Sequence, residues 1–80
     1  MPYYFFTWTD AIIEHLDEHG ITPTEFEEVV CDPVKTSNSR TTGRPVAFGY
    51  TSNGKYLICV YEFVDDDTIL PVTAYEPDEE

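Results

Sequence analysis

The apolar positions of this chain follow three successive patterns. An aromatic cluster comes first, "YYFFTW" at residues 3–8, β-prone and read as an opening strand. "TDAIIEHLDEHG" then changes to helical spacing. Ile12, Leu16 and His19 share one face, Thr9 or Asp10 can cap the start, and Gly20 stands where a helix C′ residue belongs. In "TPTEFEEVVCDP" the local signals are strongest. Thr22 is an N-cap with Pro23 at the first helical position, and Glu25, three residues after the cap, completes a capping box. Phe26, Val29 and Val30 make the apolar stripe, which leaves Glu25, Glu27 and Glu28 as a solvated acidic face. Asp32 before Pro33 ends the helix, because a residue preceding proline avoids the helical region.

From Val34 the period becomes two. "VKTSNSR" is a weak, polar strand suited to a sheet edge, and "TTG" turns the chain into "RPVAFGYT". "SNG" predicts a hairpin, with Asn53 and Gly54 supplying the positive φ values of a type I′ turn. "KYLICVYEF" is apolar on both faces, as a central strand would be. "VDDD" turns again into "TILPVTAYE", where Pro71 marks an edge position or a bulge. The pattern therefore predicts a single α+β domain over residues 1–80, with residues 76–80 a short acidic tail. It has a strand, two helices and then a three- or four-stranded antiparallel meander, with both helices on one face of the sheet.

Composition narrows the function classes. Sixteen acidic against four basic side chains give a net charge of −12, which repels nucleic acid and favours a basic protein partner. RNA is thus disfavoured, and direct DNA binding is not expected. No stretch approaches the roughly 20 apolar residues of a membrane span. "PYYFF" is too short for a signal-peptide core and no Lys or Arg precedes it, so the expectation is a cytoplasmic protein. Cys31 and Cys59 sit in apolar contexts without a CxxC pair, which suits free buried thiols rather than a disulfide framework.

A family likeness joins these segments. "W…EHGITPTEFEEVVCDP", an arginine-bearing strand, "FGYTSNGKYLICVYE" and "PVTAYE" together resemble the BrnT family, ribonuclease toxins of bacterial toxin–antitoxin pairs with a RelE-like fold. The resemblance runs from Trp8 to about Tyr75. It implies a RelE-like fold, a metal-independent endoribonuclease and an antitoxin-like partner, with no cofactor. Where the family carries lysines and an asparagine on the first helix, this chain has Glu18, His15 and Ala11. Where the family has a basic C-terminal helix, the sequence reads "EPDEE".

Candidate chemistry gathers around three of the four basic residues. Arg40 and Arg44 flank one turn, and their planar forks suit a phosphate or carboxylate. Ordinary ion pairing with neighbouring carboxylates is the alternative. The resemblance makes these arginines the phosphate-steadying pair and Tyr75 a terminal aromatic of the same site. Lys55 beside Asn53 and Gly54 is a turn lysine that can add to an RNA or partner surface. His15 can move a proton near neutral pH. His15 and His19 share a helix face, but no third ligand is specified, so no metal is expected. His19 instead suits the helix end, where a cation meets the carboxyl-end dipole. Glu62 falls on the face of Ile58 and Val60, where its carboxylate needs a partner such as Arg44, in a catalytic pair or a cross-strand salt bridge. Asp65, Asp66 and Asp67 lack the spacing of a calcium loop and read as a solvated turn. Two functions stay open. One is a BrnT-like endoribonuclease using Arg40, Arg44, His15 and Tyr75. The other is a non-catalytic RelE-like domain that binds a basic or antitoxin-like protein.

Overall fold

The computed structural model describes residues 4–77. Along the chain lie β1 (Phe5–Phe6), α1 (Asp10–Glu18), α2 (Pro23–Cys31), β2 (Lys35–Asn38), β3 (Pro45–Tyr50), β4 (Tyr56–Phe63) and β5 (Thr68–Tyr75). The strand order in the sheet is β1-β5-β4-β3-β2. Strands β2 to β5 pair antiparallel with their chain neighbours, whereas β1 joins β5 in parallel, Phe5 opposite Thr68 and Phe6 opposite Ile69. The sheet is therefore five-stranded and mixed, not a purely antiparallel meander of three or four. The opening strand is also shorter than the aromatic run suggested. Thr9 leaves the sheet to cap α1, so pairing stops at the Thr7 N–H, which donates to the Ile69 carbonyl. Tyr3, where the expected strand began, lies outside the described residues, as do residues 78–80 of the acidic tail.

Local chemistry places the helix ends where the sequence puts them. The Thr9 hydroxyl accepts from the Ile12 N–H at 3.2 Å. At the other end of α1 the Gly20 N–H donates to Asp17 and the Ile21 N–H to Leu16, with Gly20 at φ +75°. This is a Schellman closure, and its apolar partners, Leu16 and Ile21, are both buried. Helix α2 starts on the expected capping box. The Thr22 hydroxyl takes the Glu25 N–H and the Glu25 carboxylate takes the Thr22 N–H, at 3.2 and 3.0 Å.

Both helices cover the same side of the sheet, α1 over β5 and α2 over β3 and β4. Between the layers lie Leu16, Ile21, Phe26, Val29, Leu57, Cys59 and Ile69, essentially without exposed surface. Gly49 lets the end of α2 come close: a Cβ there would meet Pro33 and Val29 atoms at 3.4 Å. β4 is the central strand and polar β2 the exposed edge, as the periodicity predicts. Pro71 meets both of its expected conditions. The β4–β5 register shifts next to it, and β1 covers β5 only at Thr68 and Ile69. The β3–β4 turn differs from the expected type I′. Only Gly54 has positive φ, and the Gly54 N–H donates to the Thr51 carbonyl, so the loop spans three residues instead of two. Among the described residues no helix is long and apolar enough to cross a membrane.

Two substitutions separate local from tertiary contributions. Thr22→Ala should cost about 1 kcal/mol by removing the cap. Phe26→Ala should cost about 3–5 kcal/mol by opening a cavity beneath α2. Against a total of about 5–15 kcal/mol, urea denaturation should show the first variant folded and the second near the edge of unfolding.

Candidate functional site

The turn between β2 and β3 carries both candidate arginines. It is tied internally: the Ser39 N–H donates to the Arg44 carbonyl and the Gly43 N–H to the Ser39 carbonyl, both at 2.8 Å. The Asn38 amide reaches the Gly43 carbonyl at 3.2 Å. Strand β2 ends at Asn38, so Arg40 sits in the turn itself, exposed, with no hydrogen bond or ion pair among the described residues. Arg44 behaves differently. Its Nε donates to Glu62 Oε2 across the β3–β4 pair, on the sheet face opposite the helices. The Glu62–Arg44 pairing anticipated from strand alternation is thus present, and it occupies one of the two guanidinium groups.

The remaining candidates lie elsewhere. His15 is on α1, where it shares a 2.9 Å hydrogen bond with the Thr73 hydroxyl and packs its ring against His19 at 5.1 Å. His19 is the exposed C-cap of α1 and not part of its apolar stripe. Tyr75 ends β5 and is 42% exposed, in one cross-strand row with Ile58, Phe48 and Lys35. Glu62 and its partner Arg44 are level with each other four residues further along β4, so the two rows are separated by about 13 Å at the strand rise of about 3.3 Å per residue. No hydrogen bond or ring contact among the described residues joins His15, Tyr75, Arg40 and Arg44. Nor does any group of three or more His, Cys, Asp or Glu side chains among them form a metal-binding cluster.

Lys55 is more than a turn residue. Its ammonium donates to the Gly20 carbonyl at 2.6 Å and to the Glu25 carboxylate at 3.3 Å. Glu25 is buried, not solvated. Burial works to raise its pKa, but the Thr22 N–H, the Lys55 ammonium and the Asn53 amide together outweigh that and hold the carboxyl below the ordinary glutamate value. The other two glutamates of the supposed acidic face are engaged as well. Glu28 accepts from the Ser52 N–H and hydroxyl, both at 3.0 Å, and Glu27 accepts from the Trp8 indole at 2.8 Å. Helical periodicity placed Glu27 and Glu28 off the apolar stripe, but Glu25 is among the buried residues of α2. What it could not show was that Trp8 and the β3–β4 turn bring donors to that side. The capping-box position of Glu25 was the one sequence signal that touched this network.

The cysteines split by environment. Cys59 is buried between helices and sheet, and desolvation pushes its thiol up to about 12. Cys31 at the end of α2 is exposed despite its apolar sequence context, with its pKa raised by partial burial and by the Glu27 carboxylate.

Compared with family models, with curated proteins and with solved structures, the chain matches none. The likeness to BrnT proteins accordingly rests on the quoted sequence segments.

The Glu25 network makes a pH prediction with a definite sign. Its folded pKa lies below the unfolded one, so its stabilisation is complete above the ordinary glutamate range and is lost as pH falls through the folded value. Denaturation midpoints of wild type and Glu25→Gln should differ at pH 7 and converge below about pH 4. A thiol reagent at pH 8 should label Cys31 alone in the native protein and both cysteines in denaturant.

Proposed function

We propose that this chain is an acidic protein-interaction domain, built on a toxin-like scaffold, that takes a basic or antitoxin-like protein partner rather than RNA. The observation that carries this reading is how the charges are used. Arg44 is held by Glu62, Lys55 by Glu25 and the Gly20 carbonyl, and Lys35 lies 5.1 Å from the centre of the Phe48 ring. Arg40 is the one cation among the described residues without such an engagement. A transferring phosphate needs several converging donors, and a single arginine on a turn, with His15 and Tyr75 apart from it, offers little to hold one.

The acid side is the reverse. Among the described residues only Glu25 and Glu62 meet a cation. Asp10, Glu14, Asp17 and Glu18 on α1 are exposed and form no ion pair. Such a field steers cationic proteins and raises their association rate at low salt. The resemblance to BrnT toxins makes an antitoxin-like protein the natural source of that positive charge.

Titration with a lysine-rich helical peptide tests the reading, with a glutamate-rich peptide as control. The basic peptide should bind, its affinity should fall as salt rises, and Glu14→Lys/Glu18→Lys should weaken it by about three- to tenfold. Indifference to the basic peptide would sink the proposal. In parallel, structured and ribosome-bound RNA should stay intact. Cleavage lost in Arg40→Ala/Arg44→Ala would instead make the chain a metal-independent endoribonuclease acting from that turn.

A further inference from the structure

The two faces of the sheet are unequally served. Antiparallel sheets with one solvated face ordinarily alternate apolar-in and polar-out, yet β3 and β4 are apolar on both. The face away from the helices presents Phe48 and Tyr50 from β3, beside a buried Val46, and Tyr56, Ile58 and Val60 from β4, flanked by Leu70 and Tyr75 of β5. Tyr50 is 60% exposed and packs against Tyr56 in a tilted pair with ring centres 4.9 Å apart. Both helices pack on the opposite side, so no helix of the described chain covers this face.

The charges around that face are sorted left from right. Lys35, Arg40 and Arg44 lie on the β2–β3 side. Asp65, Asp66 and Asp67 in the β4–β5 turn, and Glu76 after Tyr75, lie on the β5 side. Antiparallel order puts the β2–β3 turn and the β4–β5 turn at the same end of the sheet, while Lys35 and Glu76 both lie towards the other end. The three aspartates form no ion pair among the described residues.

We propose that this face is the interface of a twofold dimer of the chain, with the axis parallel to the strands and the aspartate turn of each copy set against Arg40 of the other. A rotation about that axis lays β5 of one copy over β2 of the next without exchanging the ends of the sheet. The aspartate turn then meets the Arg40 turn, Glu76 approaches Lys35, and the Tyr50 and Tyr56 rings of the two copies face each other. The helix layers, with their unpaired carboxylates, point outward on opposite sides, where their mutual repulsion is least. A basic partner does not fit this face as well, because Lys35, Arg40 and Arg44 already line its β2–β3 side.

Size sets the strength. Four strands about 4.8 Å apart and about six residues long give a face on the order of 400 Å² per copy. The pair then buries on the order of 800 Å² plus the turns, the low end of specific interfaces, as expected of a weak and reversible dimer.

Sedimentation equilibrium of the full chain over roughly 5–500 µM tests this, in about 150 mM salt where charges beyond about 8 Å are screened. Wild type should pass from monomer to dimer within that range. Arg40→Glu and Asp65→Lys/Asp66→Lys, both on exposed turns, should each weaken the dimer by about tenfold, since every reversal acts twice across the axis. Combined, they should restore it. Tyr50→Asp, also exposed, should weaken it comparably, while Glu14→Lys on α1 should not. A wild type that stays monomeric at every concentration overturns the proposal. So does a dimer indifferent to the turn charges, or one that the combined reversal fails to rescue. Because the protein is measured alone, failure here leaves the binding of a basic peptide to be judged separately.

Discussion

The contact on which the rest of the structure depends is Glu25 with Lys55, 3.2 Å apart in the layer between helix and sheet. A carboxylate removed from water costs several kcal/mol unless every acceptor position finds a donor. Here the donors come from three directions: the Thr22 N–H, the Asn53 amide and the Lys55 ammonium. Lys55 also takes up the Gly20 carbonyl left over at the α1–α2 corner. One ion pair therefore fixes the end of α1, the start of α2 and the β3–β4 turn relative to one another. With the N-terminus of α2 held there, Glu28 on Ser52 and Glu27 on Trp8 set the helix rotation. Phe26, Val29 and Val30 are then obliged to face β3 and β4. Among the described residues no buried side-chain nitrogen or oxygen lacks a partner.

That arrangement has a consequence for chemistry. Drawing Lys55 into the helix–sheet junction and Arg44 onto Glu62 uses the positive charge of the chain to hold its own elements together. Basic side chains that stand close in sequence do not make a basic surface in space. The surface that remains is acidic over α1 and apolar over the outer sheet. On the reading proposed above, other chains would recognise these two surfaces, and the charge sorting along the outer face would give that recognition a direction.

Much of the architecture was legible because it is decided within a few residues. The capping box of Thr22 and Glu25, the Gly20 corner, the helix stop at Asp32 and the polar edge of β2 all follow from backbone preferences and local hydrogen bonds. Central β4 was readable from its two apolar faces. The Arg44–Glu62 pair was readable because strand alternation fixes which side chains share a face.

The candidate site was less legible, for a physical reason that recurs in each miss. Periodicity tells which side of an element a residue occupies, but not what lies across from it. Glu25, Glu27 and Glu28 looked solvated because their donors, Lys55, Asn53, Trp8 and Ser52, are brought from distant segments by packing. The parallel addition of Phe5 and Phe6 beside β5 depends on where α1 carries the chain, and the turn at Asn53 follows the tertiary hold on Lys55 as well as its own dipeptide. Sequence by itself determined the elements, their order and the buried stripe of each, since these are settled by local sterics and by the hydrophobic period. Tertiary structure alone decided which charges are neutralised, which are left to the solvent, and that among the described residues no helix covers one apolar face of the sheet.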